Sequence, residues 1–373
     1  EALSKTPNGS ESCPISQLPN ELLLRIFSYL KQRKVSPQTV YPIVDADLLR
    51  ASLVCKAWHN PAICVFYEVV QLRTVHSIQL FHRTLQKYPH IRKMVRVLVF
   101  PARIGVRCPD ALLDTFAEIV NLVENLDSLD VTCPVRKSGL EGELRHILPI
   151  AEGRHPDLKR LTIYANSKVP AEFPASLATY SRLIKLSLVG VFLSKPILAD
   201  TMPILPELLN FSSTAGNAAS QMDSWLLACP KLGCLTLGKG EAPPLSLLTK
   251  GNIVLLIFTQ RTFDPSVATW LPECTSVHCV VISWAIFSNI DHKMFPPSLH
   301  LIQITVCPRD RMSLETFKAR LGENVALRGL QFWVIGNNKW PVENEEALKD
   351  ACKTSGVLMA PPLLSASFPK TSE

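Results

Sequence analysis

Apolar positions along this chain follow two periods, and the change of period divides it. Near the front they recur at helical spacing. At about 100° per residue, Leu22, Leu23, Ile26, Phe27 and Leu30 form one broad stripe, and Leu24 falls outside it. Pro19 suits the first helical position, where its missing N–H would be unpaired anyway. Glu21 and Lys31 complement the helix dipole at the two ends. After a gap, Leu48, Ala51, Val54, Cys55 and Trp58 share one side of a second helix, while Leu49, Leu53 and Ala57 form another. Asp45 or Asp47 can cap its start, and Pro61 is expected to stop it soon after Trp58. A third amphipathic piece covers residues 63–70.

From about Val95 the pattern becomes apolar-x-x-apolar-x-apolar, as in Val95, Leu98 and Phe100 or Leu158, Leu161 and Ile163. The middle residues fall at positions 98, 129, 161, 186, 211, 235, 256, 280, 302 and 330. Leucine-rich repeats have periods of about 20–29 residues, so most of these steps fit and the first two are long. Helix-like segments lie between the strands at residues 110–124, 218–229, 265–271, 313–321 and 344–352. Pro156, Pro206, Pro230 and Pro297 each stand just upstream of a strand, where proline ends the preceding helix or extended turn. A repeated strand, turn and helix is the unit of a solenoid, in which each unit leaves apolar surface that only its neighbour covers. An ordinary α/β domain with evenly spaced strands is the alternative. The ten recurrences, and the absence of a Gly-rich phosphate loop after any strand, favour the solenoid.

The front helices carry more apolar surface than so small a unit can hide. Either they form a plain three-helix core, or one side packs inward and the other docks on a partner. Leu-Pro-x-Glu-Leu-Leu-x-x-Ile-Phe-x-x-Leu from Leu18, followed by Leu-Leu-x-x-Ser-Leu-Val-Cys-Lys-x-Trp from Leu48, resembles an F-box over about residues 15–72. The resemblance implies a three-helix module that binds the Skp-type linker subunit of an SCF (cullin–RING) ubiquitin ligase and, through it, cullin. Carried over by position, it implies Leu18, Pro19, Leu22, Leu23, Ile26, Val54, Cys55 and Trp58 as linker contacts. The connection over residues 32–46 is longer than usual, and a basic cluster of Lys31, Arg33 and Lys34 marks its start. Burying a large apolar side chain contributes about 1.5–3 kcal/mol. Half a dozen such contacts would offset an association cost of about 4–15 kcal/mol.

The second part is similar to the irregular leucine-rich repeats that often follow an F-box, although the usual Asn or Cys after the strand is mostly absent. The expected fold class is α/β: an N-terminal three-helix F-box followed by a leucine-rich-repeat-like solenoid of strand–turn–helix units. The expected divisions are a disordered tail over 1–14, the F-box over 15–72, a linker helix over 73–94, the solenoid over 95–360 and a tail over 361–373. Residues flanking each central apolar one would point to the concave face. Arg160, Lys185, Leu255, Ile257, Gln303, Gln331 and Trp333 are the expected contacts for an unidentified protein substrate, with Trp333 a natural hot-spot type.

Composition narrows the function classes. The chain is 47% hydrophobic and 19% charged, which fits a globular protein rather than a disordered one. The richest apolar stretch, residues 277–287, is too short and broken to span a bilayer, and the first residues show no signal-peptide pattern, so no membrane is expected. Eleven scattered cysteines without a CxxC pair fit a reducing compartment, cytoplasm or nucleus. The net charge of +7 resides in residues 1–100, where 13 Lys+Arg stand against 6 Asp+Glu; the remainder balances at 26 against 26. The basic residues are dispersed rather than interleaved with stacking aromatics, so no nucleic-acid partner is expected; a solvated face, or attraction to an acidic partner, fits better.

Cys274, His278, Cys279 and His292 are irregularly spaced, and the adjacent His278 and Cys279 would point to opposite faces of a strand, so no metal is expected. No nucleophile elbow, zincin or Walker motif occurs, and no cysteine has a His motif around it. The expectation is a protein that is not an enzyme and needs no cofactor. An F-box protein acting with the linker outside a ligase, and an α/β hydrolase or transferase, are the alternatives.

Overall fold

The computed structural model describes residues 18–32, 46–100, 110–132, 155–169, 177, 179–193, 195–198, 200, 204–238, 243–259, 265, 267–306, 315, 318–319, 331–336, 342–354 and 358–359. Three helices come first: α1 (Asn20–Gln32), α2 (Ala46–Ser52) and α3 (Lys56–Glu68). They share one small core of Leu23, Phe27, Leu48, Ala51, Ala62 and Val65, with Leu18, Leu30, Trp58 and Phe66 packed against it.

Two local expectations fail here. The second helix is broken, because Cys55 adopts an extended backbone (φ −159°, ψ 167°) that ends one helical run and starts another. Pro61 does not stop α3 but lies buried inside it. An interior proline removes one helical hydrogen bond and costs about 3 kcal/mol. Burial of Pro61, Ala62 and Val65 along the same helix opposes that cost. The piece expected over 63–70 is therefore the end of α3, which passes directly into the first strand.

Among the described residues, the strands that follow form one parallel sheet of twelve in sequence order. The chain runs β1 (Val69–Gln71), α4 (Val75–Lys87), α5 (Pro89–Arg92), β2 (Val97–Phe100), α6 (Asp110–Leu122), β3 (Ser128–Thr132), β4 (Arg160–Val169), β5 (Lys185–Leu193) and β6 (Asn210–Thr214). It continues with β7 (Cys234–Leu237), β8 (Leu255–Phe258), β9 (Cys279–Ser283), β10 (Leu301–Val306), β11 (Gln331–Gly336) and β12 (Leu358–Met359). Short helices at Ala218–Gln221, Asp223–Leu227, Leu245–Lys250 and Val267–Trp270, and a longer one at Val342–Thr354, lie between strands. This is the expected leucine-rich-repeat-like α/β solenoid.

Nine of the ten central residues lie in register, from Leu98 beside Leu129 to Val280 beside Ile302. The tenth is displaced: Phe332, not Leu330, pairs with Ile302, and Leu330 lies outside the described residues. A slip of two residues leaves the alternation of a strand unchanged, because its period is two. The sheet also begins earlier than residue 95, since β1 pairs Val70 with Leu98. The segment expected over 218–229 forms two short helices, and most of the one expected over 313–321 lies outside the described residues.

The four upstream prolines share a defined job. Each sits second in a tight turn, closed by Leu158 N–H to His155 O at 3.0 Å, Leu208 to Leu205 at 3.3 Å, Leu232 to Cys229 at 3.3 Å and Leu299 to Pro296 at 3.1 Å. That position requires the backbone angle proline already has. The turn then delivers two successive N–H groups to one carbonyl of the preceding strand entry. Leu209 and Asn210 both donate to Ile184 O, and Gly233 and Cys234 both donate to Leu209 O. The repeat is thereby indexed at the start of each strand.

The two cores meet at adjacent residues. Phe66 packs on the small helical core, whereas Tyr67 packs on the large sheet core. The Phe66 and Tyr67 rings contact edge to face at 5.1 Å, and Tyr67 stacks on Phe81 of α4 at 6.2 Å.

Candidate docking surfaces

Packing sorts the side chains of α1 by direction. Leu23 and Phe27 are sealed inside, each 1% exposed. Leu22, Ile26 and Tyr29, spaced to share the adjacent face, are 47%, 46% and 57% exposed. The broad stripe read from the sequence is thus two stripes, and Leu23 is corrected from a linker contact to a core residue. Leu48 and Ala51 of α2 face inward, leaving Leu49 outside. Leu53 and Val54, at the break before α3, are 81% and 62% exposed. Pro19 is exposed, and Leu18, Cys55 and Trp58 are partly buried.

Trp58 is mainly a packing residue. Its ring meets Phe27 edge to face at 5.4 Å, and its indole N–H is sealed with no acceptor among the described residues. Tyr29, Leu49 and Leu53 were not among the sequence candidates. Leu49 and Leu53 carried a signal all the same, a four-residue spacing on the second face of their helix.

Residues 15–67 match the family model of F-box-like domains. An F-box-like domain supports an adaptor role in SCF-type complexes, since domains of this kind bind Skp-type linkers. No curated protein matches the chain. Among solved structures the chain is similar to the crystal structure of a TLR13–ssRNA13 complex, with 14% identity and a TM-score of 0.37, over 72% of this chain and 40% of that one.

Opposite the helix-covered side of the sheet, residues flanking the central ones form two columns. Arg160 and Lys185 stand side by side on β4 and β5, both exposed. Further along, Leu255 pairs with Cys279 and Ile257 with Val281. Leu255, Ile257, Cys279 and Gln303 are partly buried, and Val281 is buried. Gln331 and Trp333 continue the columns in backbone register with Leu301 and Gln303; their side chains lie outside the described residues. The open face therefore changes from cationic to apolar along the sheet.

Cysteine chemistry on this face is quiet. Burial pushes the Cys234 thiol up to about 11, against a smaller opposing pull from the Lys185 ammonium. Burial, with the neighbouring Cys234, raises Cys279 to about 11 as well. Burial also raises Cys274 to about 12, and its thiol points at Trp270 O at 3.6 Å. Such thiols stay protonated at neutral pH, whereas a nucleophilic cysteine needs the thiolate. Tyr164 is raised by burial and by the nearby Asp130 carboxylate. His278 lies 5.3 Å from the His300 ring and is within 3.2 Å of Ser298 O. Among the described residues, no group of three His, Cys, Asp or Glu could hold a metal ion, and no helix is long and apolar enough to cross a membrane.

Proposed function

We propose that this chain is the target-recognising subunit of an SCF (cullin–RING) ubiquitin ligase. The F-box-like module binds the Skp-type linker, and through it cullin. The open face of the solenoid holds the protein to be modified. The chain itself performs no chemistry; it raises the concentration of target near the ubiquitin-loaded enzyme.

One observation carries this reading: Leu22, Ile26, Leu53 and Val54 stay outside the core of a module whose sequence matches an F-box-like domain. With Tyr29 and Leu49 added, about half of the surface of six exposed side chains, Leu22, Ile26, Tyr29, Leu49, Leu53 and Val54, remains to be covered. At about 1.5–3 kcal/mol for a full burial, the patch supplies roughly 5–9 kcal/mol. That is comparable to the association cost of about 4–15 kcal/mol, so the linker must add contacts of its own.

The test is co-purification of the tagged chain with linker and cullin. Recovery of both supports the proposal; linker without cullin points instead to an F-box protein working outside a ligase. Loss of both from the intact chain overturns the linker reading. The target arm is tested by replacing Leu255, Ile257 and Trp333 with Ser. Target capture should fall by about tenfold or more while linker recovery is unchanged, as expected for apolar hot spots. Capture at the original level would remove the open face from consideration.

A further inference from the structure

We propose that the outward face of α4 is a docking site for an acidic polypeptide segment. Between Glu68 and Asp110 the sequence contains no acidic residue and eight arginines and lysines. Folding does not neutralise all of them. Arg92 turns inward and donates to Leu85 O at 2.8 Å. Arg96 and Lys93 lie near Asp127 and Glu124, at 3.6 and 3.9 Å. Arg83 and Lys87, one turn apart on α4, are exposed, and neither has an acidic partner among the described residues. They line an open depression together with Leu80, Thr84, Gln86 and Tyr88. Leu80 and Tyr88 are exposed there, and Lys87 sits 5.2 Å from the centre of the Tyr88 ring.

The inward side of the same helix is already occupied. Ile78, Phe81 and Leu85 are buried, and His82 reaches Glu118 of α6 at 2.9 Å. The outward row therefore contributes nothing evident to the fold. Its geometry suits an extended acidic chain. Cβ atoms four residues apart on a helix are about 5–6 Å apart. Alternate side chains of an extended peptide recur about every 6.6–6.8 Å on one face. Two carboxylates of such a peptide can face Arg83 and Lys87 while an apolar side chain rests against Leu80.

A nucleic acid fits less well, because Tyr88, the aromatic ring lining the depression, is already engaged by Lys87 and meets His90 edge to face rather than in a stacking series. A membrane surface fits less well, because the broad apolar side of α4 is turned into the core. The site is separate from the outward rows of α1 and α2, so it stands or falls independently of the linker reading.

The probe is a fluorescein-labelled short peptide of Glu with interspersed Leu, titrated with the full chain and followed by anisotropy. Saturable binding that weakens with added salt is expected. The R83E/K87E variant should weaken it by about tenfold or more, and R83Q/K87Q by less, with unchanged thermal unfolding. K195E/K250E, with the same change of net charge at exposed positions elsewhere, should bind the peptide within about twofold of the original chain. Absence of saturable binding at low salt, or an equal loss in K195E/K250E, would overturn the proposal. Tighter binding of oligo(dT) or of phosphatidylserine vesicles than of the peptide would also overturn it and reassign the face.

Discussion

The F-box-like module and the solenoid solve the problem of burying apolar surface in opposite ways. Among the described residues, the module has three helices and a core of six buried apolar residues, and it leaves Leu22, Ile26, Leu53 and Val54 in solvent. The solenoid stacks twelve strands so that each unit covers the last, and its central column from Leu98 to Ile302 is sealed throughout. A stacked array closes its own core, whereas a short bundle with two apolar faces can close only one. Greasy surface left on the bundle is thus a property of its size as well as its sequence.

The largest effects test whether the two cores are separate. Phe27→Ala and Phe211→Ala should each cost about 3–5 kcal/mol. Phe27→Ala should abolish linker recovery with loss of helical circular dichroism from the module. Phe211→Ala should lower the solenoid's unfolding midpoint in urea and leave linker recovery intact. If the two substitutions have the same consequences, the contrast between the regions fails. Next, L22E/V54E should reduce linker affinity by about 100-fold, because the new carboxylates would be desolvated without partners. Its unfolding midpoint should remain that of the original chain; a lower midpoint would mean that these residues hold the fold.

Thiol chemistry sharpens the comparison from the sheet side. At mildly alkaline pH, Cys234 and Cys279 should carry about 100-fold less thiolate than an unperturbed cysteine, and react with iodoacetamide correspondingly slowly. The sign for stability follows. Both folded values lie above the ordinary value of 9.0, so the unfolded chain loses these protons first. Stability due to the protonated thiols is intact below about pH 9 and declines between about pH 9 and pH 11. The smallest effect is at the strand entries. Asp127 lies 3.1 Å from Lys159 and 3.6 Å from Arg96 in partly exposed pairs, and Asp127→Asn should cost less than about 1 kcal/mol in urea unfolding.

Much of the solenoid was legible because its signal repeats. One apolar triplet is weak, but nine in succession set both the strand positions and their register, and the tenth misses its register position by two residues. β1 was hidden because Val69 and Val70 continue the apolar run of α3 without a turn between them. The module was legible as a motif and less so as a surface. Leu22 and Leu23 are neighbours on a helical wheel, and only the position of α3 decides that Leu23 goes in and Leu22 stays out. Pro61 misled for a related reason: its local preference is to end a helix, and packing of Ala62 and Val65 against α1 prevails.

The junction at Phe66 and Tyr67 has a mechanical consequence. Two neighbouring residues are anchored in different cores, and α3 enters β1 without a loop. No hinge separates the helices from the first strand. Whatever grips the helices also fixes the heading of the first strand, so the sheet leaves the module as a stiff boom rather than on a tether.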